Sequence, residues 1–287
     1  MNQIINLKFI LFLLLSLLFL ALNSIFCKFA LSNNFIDAFS FTMYRIFFGA
    51  ITLILIYLYK RKKLHFSIKT NWLSSLMLFS YAICFSYSFL NIEAGLGTLL
   101  LFAVVQLVMV IFSLFHKEKI NLQKIAGIFL AIAGLIYLLY PKQSFELSLF
   151  HAFLMIIAGI SWAVYTVLGK KSSDSLYNTT DNFAKAIIFV VIFYILFSPE
   201  NSFVSEKGIF LAFISGSLTS AIGYLLWYEV LPKMQLITAG IIQLFVPVIS
   251  IVISIVFLNE SLTITLFLST VMIFAGILLT IFSKKKS

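Results

Sequence analysis

The sequence predicts an all-α integral membrane protein in which ten transmembrane helices form two inverted five-helix repeats around a central cavity. Composition and an internal repeat are the observations that predict it. Of the 287 residues, 62% are hydrophobic and 10% are charged, and the mean hydropathy is +1.11. A soluble domain contains about 25% charged residues. A water-soluble fold could not bury this much apolar surface, so the composition excludes that class.

The chain divides into continuous apolar stretches of the length that a bilayer requires. A helical span needs about 20 apolar residues, whereas transmembrane strands would show segments of ~10 residues with alternating hydrophobicity. The joints between the stretches are short, which leaves no room for an extramembrane catalytic domain. The predicted spans are 9–31, 38–59, 71–90, 94–115, 122–140, 149–169, 180–198, 208–230, 234–258 and 262–282.

The net charge of +10 has the distribution of a membrane protein rather than of a nucleic-acid-binding surface. With ten spans, one side of the membrane receives most loop lysines, including KRKK at 60–63 and KKK at 284–286, and the other side receives Lys142 and Lys207. The lysine-rich side of a membrane protein faces the cytoplasm. We therefore predict an inner-membrane protein with both termini in the cytoplasm, in contact with the lipid bilayer and without a nucleic-acid partner.

Cysteines and histidines predict neither a metal site nor a cofactor. Cys27 and Cys84 fall inside predicted spans, and the histidines have no ligand spacing. No nucleophile–base pair is recognisable either. The sequence therefore does not predict an enzyme.

The second half of the chain repeats the first. The stretch KEKINLQKIAGIFLAIAGLIYLL at 117–139 aligns with NESLTITLFLSTVMIFAGILLTI at 259–281, so that Glu118 matches Glu260 and Gly134 matches Gly276, each 142 positions apart. The repeat divides the chain into units of five spans, 1–143 and 144–287. Because five is odd, the second unit must enter the membrane upside down. Duplication places both units in one chain, so a monomer could suffice.

Inverted repeats are a feature of alternating-access transporters, in which the substrate site lies near the middle of the membrane between the repeats. Exchanging the conformations of the two units then turns an inward-open cavity into an outward-open one. The alternative is that duplication built a stable ten-helix bundle without a transport cycle.

Several motifs together resemble one known family. The longest is the run 223–280, which has Tyr and Trp at the end of helix eight, Pro-Val in helix nine, the junction NESLT, and Ala-Gly in helix ten. The others are SWAVYTVLGKK at 161–171 and FTMYRIFFGA at 41–50. This pattern is similar to that of EamA-type members of the drug/metabolite transporter superfamily, and it covers the whole chain. The resemblance implies ten helices, cytoplasmic termini, a central cavity and export of amino acids or related metabolites.

Intramembrane polar residues are candidates for substrate contact, because each is costly in hydrocarbon. Arg45 lies ~12 Å along its helix from the outer end, near the middle of the bilayer. Its guanidinium could hold a carboxylate through two parallel hydrogen bonds, or it could lock helices together. Pro247 deprives the Gln243 carbonyl of its helical donor, which makes Pro247 a candidate hinge and Gln243 a candidate substrate contact. A packed kink is the alternative.

Further polar and aromatic residues could complete the substrate site. Residues three positions apart share a helix face, and packing or an aromatic belt at the interface is the alternative for each of them. These candidates are Asn23, Tyr87, Trp162, Tyr165, Tyr224 and Trp227.

Charged residues near helix ends have other interpretations. Lys28 could extend to the interface, pair with Asp37 or face the cavity. Glu118 and Glu260 are each expected to stabilise the N-terminus of the helix that follows. No acidic residue or histidine is predicted at the middle of the membrane, and Glu229 is the candidate for proton coupling.

The sequence thus predicts a secondary transporter for small amphipathic metabolites with a carboxylate, such as amino acids, moved outward. Efflux of cationic or neutral drugs is one alternative, although the predicted absence of a deep carboxylate disfavours cations. A lipid-handling or scaffold membrane protein without a solute cycle is the other.

Overall fold

The computed structural model describes residues 7–63, 71–115, 122–139, 148–198 and 202–281, and these residues are almost entirely helical. In these ranges the only extended pairing is an isolated bridge between Ile36 and Val204. The helices are α1 (Leu7–Ser32), α2 (Ala38–Arg61), α3 (Trp72–Ser88), α4 (Ala94–Phe115), α5 (Leu122–Leu139), α6 (Leu149–Lys170), α7 (Ser175–Phe197), α8 (206–230), α9 (236–258) and α10 (Ile264–Ile281).

Most of these helices have the length and composition of membrane spans. In the described part of the chain, seven helices (α1, α2, α4, α6, α7, α8 and α9) are long and apolar enough to cross a membrane. Helices α5 and α10 contain the shorter apolar stretches Ile125–Leu138 and Ile264–Gly276, and α3 has 17 residues, about 26 Å at the helical rise. The predicted all-α membrane fold is confirmed.

The distribution of polar and apolar side chains also suits a lipid environment. Large apolar side chains such as Phe129, Leu196 and Phe257 are about 70% exposed, whereas Asn23 and Arg45 are buried. Lipid tails solvate such an apolar exterior, and water would not.

Helix pairing follows the repeat. Helix α1 packs on α8 and α9, and its equivalent α6 packs on α3 and α4. Helix α2 packs on α8, and its equivalent α7 packs on α3. The remaining main pairs, α2–α7, α4–α9 and α5–α10, each join two equivalent helices. A two-fold relation between the repeats produces this pattern, as predicted.

Two helices of the second repeat have an irregular backbone. Helix α8 consists of the α-helix Glu206–Ile214, the π-helix Ser215–Ile222 and the α-helix Gly223–Val230. Helix α9 is broken at Leu244, between Leu236–Gln243 and Phe245–Leu258. Pro247 lies in the first turn after the break, where its missing N–H leaves the Gln243 carbonyl without its usual donor. The hinge role of Pro247 stays a prediction.

Helix α7 begins earlier than predicted. It starts at Ser175, with the Asp174 carboxylate as its N-cap accepting from the Tyr177 N–H at 3.0 Å. The predicted start at 180 was wrong, because two charged residues in the following turns interrupt the apolar pattern. Those residues, Asp181 and Lys185, pair with each other at 2.6 Å inside the bundle.

Glu260 caps a different helix from the one predicted. Its carboxylate accepts hydrogen bonds from the N–H groups of Ala94 (2.5 Å) and Gly95 (3.0 Å), at the start of α4. The charge therefore stabilises the N-terminus of α4 rather than that of α10. The equivalent residue, Glu118, lies outside the described residues.

Lys28 does not pair with Asp37. Its ammonium donates to the Phe89 carbonyl at 3.0 Å. The Asp37 carboxylate instead caps α2, accepting from the Ser40 N–H at 2.9 Å, and accepts from the Phe203 N–H at 3.0 Å. Asp37 thus connects the loops that precede α2 and α8.

Candidate functional site

A hydrogen-bonded cluster at the centre of the bundle, the polar centre, consists of Asn23, Arg45, Tyr81, Ser220 and Tyr224. The Arg45 guanidinium donates to Ser220 Oγ through Nε and to Tyr224 Oη through Nη2, both at 3.1 Å. Asn23 Nδ2 lies 3.2 Å from each of the same two oxygens. Tyr224 Oη donates to Tyr81 Oη at 3.3 Å. Because these residues belong to α1, α2, α3 and α8, the polar centre joins the two repeats.

The π-helix of α8 supplies much of this polar surface. Asn23 Oδ1 accepts hydrogen bonds from Ser215 Oγ (2.5 Å) and Thr219 Oγ1 (3.2 Å), while Ser220 faces Arg45. A π-helix closes its hydrogen bonds over five residues, so Ser215 and Ser220 follow each other on one face. π-Helical turns are frequent at functional sites.

Arg45 carries a buried charge without an acidic partner. It is 1% exposed, and among the described residues its hydrogen bonds go to neutral hydroxyls. Its guanidinium lies 5.2 Å from the ring centroids of both Tyr81 and Phe85, which provides cation–π attraction. Nη1 has no hydrogen-bond partner within the described part. A buried cation without a counter-ion is costly, so this position favours an anionic ligand.

Aromatic rings border the guanidinium. The Trp162 ring centroid lies 5.0 Å from that of Tyr81 and 4.8 Å from that of Tyr224. Trp162 Nε1 also donates to Gln243 Oε1 at 2.8 Å. The aromatic rings thus extend the polar centre from Arg45 towards the break in α9.

A second buried amide lies close to Gln243 along α9. Gln106 of α4 is 1% exposed, and neither atom of its amide has a hydrogen-bond partner in the ranges described. Gly240, one turn before Gln243, leaves the space that the Gln106 amide occupies, because a Cβ there would collide with its oxygen.

Tyr165 and Trp227 are buried beside the polar centre. The Tyr165 ring lies 5.8 Å from the Trp162 ring, and its hydroxyl accepts from Asn182 at 3.4 Å. Trp227 is fully buried, one turn after Tyr224, and its Nε1 has no partner among the described residues. Its burial inside the bundle differs from an aromatic belt, which would face the interface.

Two predicted residues lie elsewhere. Tyr87 lines an apolar cavity of about 410 Å³ with residues of α6 and α7, such as Phe150 and Phe193, rather than the polar centre. Glu229 is exposed at the end of α8, where it accepts from Ser175 Oγ at 2.6 Å. The structure therefore brings neither residue to Arg45, and the coupling role of Glu229 stays a prediction.

The polar centre is closed in this conformation. None of its five residues is more than 3% exposed, so the side chains fill the space predicted as a central cavity. A cavity of about 440 Å³ lies at one end of the bundle, among Arg61, Asp174, Glu229 and Lys233. A molecule could therefore reach the polar centre from outside only if the surrounding helices separate.

The structure reveals residues that the sequence reasoning missed. Tyr81 and Ser220 contact the predicted residues directly, and the small polar run SGSLTS at 215–220 was the available signal for Ser220. Asp181, near the start of α7, is fully buried and is not among the predicted site residues. Its proximity to Lys185 in sequence, four residues on, was the signal for a buried ion pair.

Two inverted helical repeats around a buried polar centre define a membrane transport protein. A family model, the EamA-like transporter family, matches residues 7–140 and again 149–282. The chain belongs to this family.

Relatives extend the likeness along most of the chain. An uncharacterized protein of Pseudomonas aeruginosa is 35% identical over 92% of this chain and 91% of its own length. The uncharacterized transporter YoaV of Bacillus subtilis is 25% identical over 85% of this chain and 87% of its own. An uncharacterized transporter of Archaeoglobus fulgidus is 28% identical over 96% and 98%, respectively.

A solved crystal structure supports the fold. It aligns with 92% of this chain and 97% of its own chain at a TM-score of 0.66 and 17% sequence identity. At this identity the likeness concerns the fold alone.

Proposed function

We propose that the protein is a secondary transporter that exports small amphipathic carboxylates, such as amino acids, by alternating access. The observation that carries this proposal is the buried Arg45, which has no acidic partner among the described residues and a free Nη1 donor there. A substrate carboxylate would supply the missing negative charge and accept two parallel hydrogen bonds from the guanidinium.

The surroundings of Arg45 suit the rest of such a substrate. Tyr81, Trp162 and Tyr224 offer ring faces and edges for an apolar side chain, and Asn23 and Gln243 offer amide groups for an amine. A binding site with an apolar wall and a few oriented polar groups is typical for small ligands. We assign the hinge to Pro247, because the break in α9 lies beside the Gln243 contact.

Export is proposed from the resemblance to EamA-type transporters, and the orientation of the chain is a separate part of the proposal. We take the basic loops to be cytoplasmic, which would orient residues 1–143 with their N-terminus in the cytoplasm of an inner membrane and residues 144–287 inverted. The two units would then rock around the polar centre as a monomer, without a cofactor. Efflux of cations is the competing function, and the positive charge of Arg45 disfavours it.

The test uses the purified full-length protein in liposomes loaded with a labelled amino-acid mixture. We expect the wild type to release particular amino acids and Arg45→Gln to lose at least about 90% of that release, because truncating one side of a buried charge pair costs about 2–5 kcal/mol. Arg61→Gln is the matched control, since Arg61 lies on the same helix but is exposed. Equal release by both variants, or no release by folded wild type, would overturn the proposal.

A further inference from the structure

Helix α7 contains a buried ion pair that the substrate site does not use. Lys185 Nζ lies 2.6 Å from Asp181 Oδ2, and their side chains are 8% and 0% exposed. Asn71 of α3 donates to the same carboxylate oxygen at 3.0 Å. The Lys185 ammonium also lies 5.4 Å from the ring centroid of Trp72. The pair therefore lies at the contact between α3 and α7.

Such a pair is a poor stabilising device in a membrane. The desolvation of two charges offsets much of their attraction, so apolar residues of similar size would often stabilise a bundle as well or better. Ionisable residues inside membrane helices instead mark ion pathways and proton relays. Asp181 Oδ1 adds a specific feature, because it is buried and has no hydrogen-bond partner among the described residues.

Contacts connect the ion pair to the substrate site. Asn182, the next residue after Asp181, donates to Tyr165 Oη at 3.4 Å, and the Tyr165 ring lies 5.8 Å from the Trp162 ring. Trp162 in turn packs on Tyr224 of the polar centre. A change in the charge of Asp181 would therefore act on residues that contact the wall of the substrate site.

The other titratable groups around this part of α7 contact residues other than Asp181. On α2, Arg61 pairs with Asp174 at the exposed start of α7, and Tyr57 packs against Tyr177 at 6.3 Å. On α6, Tyr165 faces Asn182, and on α8, Glu229 bonds to Ser175. On α3, the described residues that face the ion pair, Asn71 and Trp72, are not titratable at physiological pH.

We propose that Asp181 is the proton-binding residue that couples transport to a proton gradient, with Lys185 as its partner when no proton is bound. A proton from water adds to Oδ1 and gives a neutral carboxylic acid, while Lys185 remains an ammonium ion. The ion pair thereby loses its negative member and the site gains one positive charge. Because Asp181 is fully buried in this closed conformation, the proton enters when α3 and α7 separate.

This inference rests on the proposed transport function, since a coupling residue requires a transport cycle. A proton can shift a conformational equilibrium only if the two conformations bind it with different affinities. Loss of the ion pair supplies that difference, because the α3–α7 contact around Asn71 is formed with the ionised carboxylate.

The test compares transport with and without a pH gradient in liposomes that contain the full-length protein and the labelled amino-acid mixture. The main variant is Asp181→Asn/Lys185→Gln, which removes both charges of the ion pair together. The matched control is Asp174→Asn, which removes an acid of the same helix from an exposed ion pair and keeps an N-cap residue.

We expect a gradient of about two pH units, which is worth up to ~100-fold in driving force, to accelerate wild-type and Asp174→Asn transport at least about tenfold. The double variant should lose this acceleration while it still exchanges labelled for unlabelled amino acid. If the gradient leaves the wild type unchanged, or still accelerates the double variant, the proposal is overturned while the transport function stands.

If the folded wild type moves no amino acid, the proposed function fails and an infrared titration decides the coupling residue separately. Difference spectra of the purified protein in lipid between about pH 8 and about pH 3 report carboxyl protonation, because this range includes the ordinary pKa of aspartate. A titrating carboxyl band that the double variant lacks supports proton binding by Asp181. Identical spectra for wild type and double variant contradict it.

Discussion

Helices α2 and α7 are equivalent in the two repeats, and each buries charge in a different way. Helix α2 carries Arg45 without an acidic partner among the described residues, whereas α7 carries Asp181 and Lys185 as a closed pair. The positions equivalent to these residues, 142 residues away, are apolar: Ile187, Phe39 and Met43. The two repeats thus share a scaffold, while one of two equivalent helices carries a single buried cation and the other carries an ion pair.

This comparison distinguishes two kinds of buried charge by their effect on stability. A charge that is paired inside the protein adds little net stability, but removing one partner of the pair is strongly destabilising. A charge that is unpaired inside the protein weakens the folded state until a ligand arrives. The two helices should therefore respond oppositely to neutralisation.

The largest expected effect comes from breaking the pair in α7. Asp181→Asn should lower the free energy of unfolding by about 3–5 kcal/mol, because it removes the carboxylate charge that faces the buried Lys185 ammonium. Asp181→Asn/Lys185→Gln should recover most of the loss. Arg45→Gln should leave stability unchanged or raise it, since it removes an uncompensated charge.

Thermal unfolding of the purified variants in one detergent measures this contrast. Similar destabilisation by Asp181→Asn and Arg45→Gln would show that both charges are structural. A double variant no more stable than Asp181→Asn would contradict the pairing energy.

The next effect concerns the close approach of α2 and α8. A Cβ at Gly216 in the π-helix would collide with the carbonyl oxygen of Arg45. We expect Gly216→Ala to lower the unfolding free energy by about 1–3 kcal/mol, as overpacking does. Ser217→Ala is the control, because Ser217 Oγ has no hydrogen-bond partner in the described residues. Equal midpoints for both variants would argue against the tight α2–α8 contact.

A smaller change in stability is expected at the break in α9. Pro247→Ala restores an N–H that can donate to the Gln243 carbonyl and lets the helix continue. Stability should change by less than about 1 kcal/mol, while the transport rate falls several-fold because hinge positions control conformational steps. An unchanged rate in the liposome assay would remove Pro247 as the hinge.

The smallest expected change in stability concerns Glu93, in the loop before α4. Burial and the nearby Glu260 carboxylate raise the pKa of Glu93, although the Lys28 ammonium opposes the shift. A raised folded-state pKa adds stability below the ordinary pKa of glutamate, and this contribution is lost as pH rises through the raised value.

Glu93→Gln should therefore raise the unfolding midpoint by about 1–2 °C near neutral pH. The difference from wild type should shrink as pH falls and disappear at about pH 3, where the carboxyl is protonated in both states. Unfolding midpoints measured across this range give the result, and a variant less stable than wild type at neutral pH would reverse the sign that we derive.

The sequence alone predicts the helices and several residues of the polar centre. It does not predict the inward face of α3 or the π-helix of α8. Apolar length and the repeat are sufficient for the fold, because each span must satisfy its backbone within the bilayer. Arg45, Asn23, Trp162, Tyr224 and Gln243 could be selected because polar groups in hydrocarbon are rare. They could be selected without knowing which face of each helix is turned towards the interior of the bundle.

The incorrect site predictions arise because the sequence does not show which face of a helix is turned towards the interior of the bundle. Tyr81 and Tyr87 lie on different faces of α3, and a helix that is apolar all round does not show which face is internal. The π-helix of α8, which packs on α1 and α2, has no recognisable sequence pattern. Asp181 and Lys185 interrupt the apolar pattern of α7 if each is considered alone. As an ion pair they can both be buried within the helix bundle.

The most direct test of the central claim, that Arg45 binds a substrate carboxylate, is a competition in liposomes. An amino acid that the wild type transports competes with its own unlabelled form and with its amide, which has the same side chain but no carboxylate. We predict that the amide competes at least about tenfold more weakly, because it cannot neutralise the guanidinium. Equal competition by the amide and the amino acid would contradict the account.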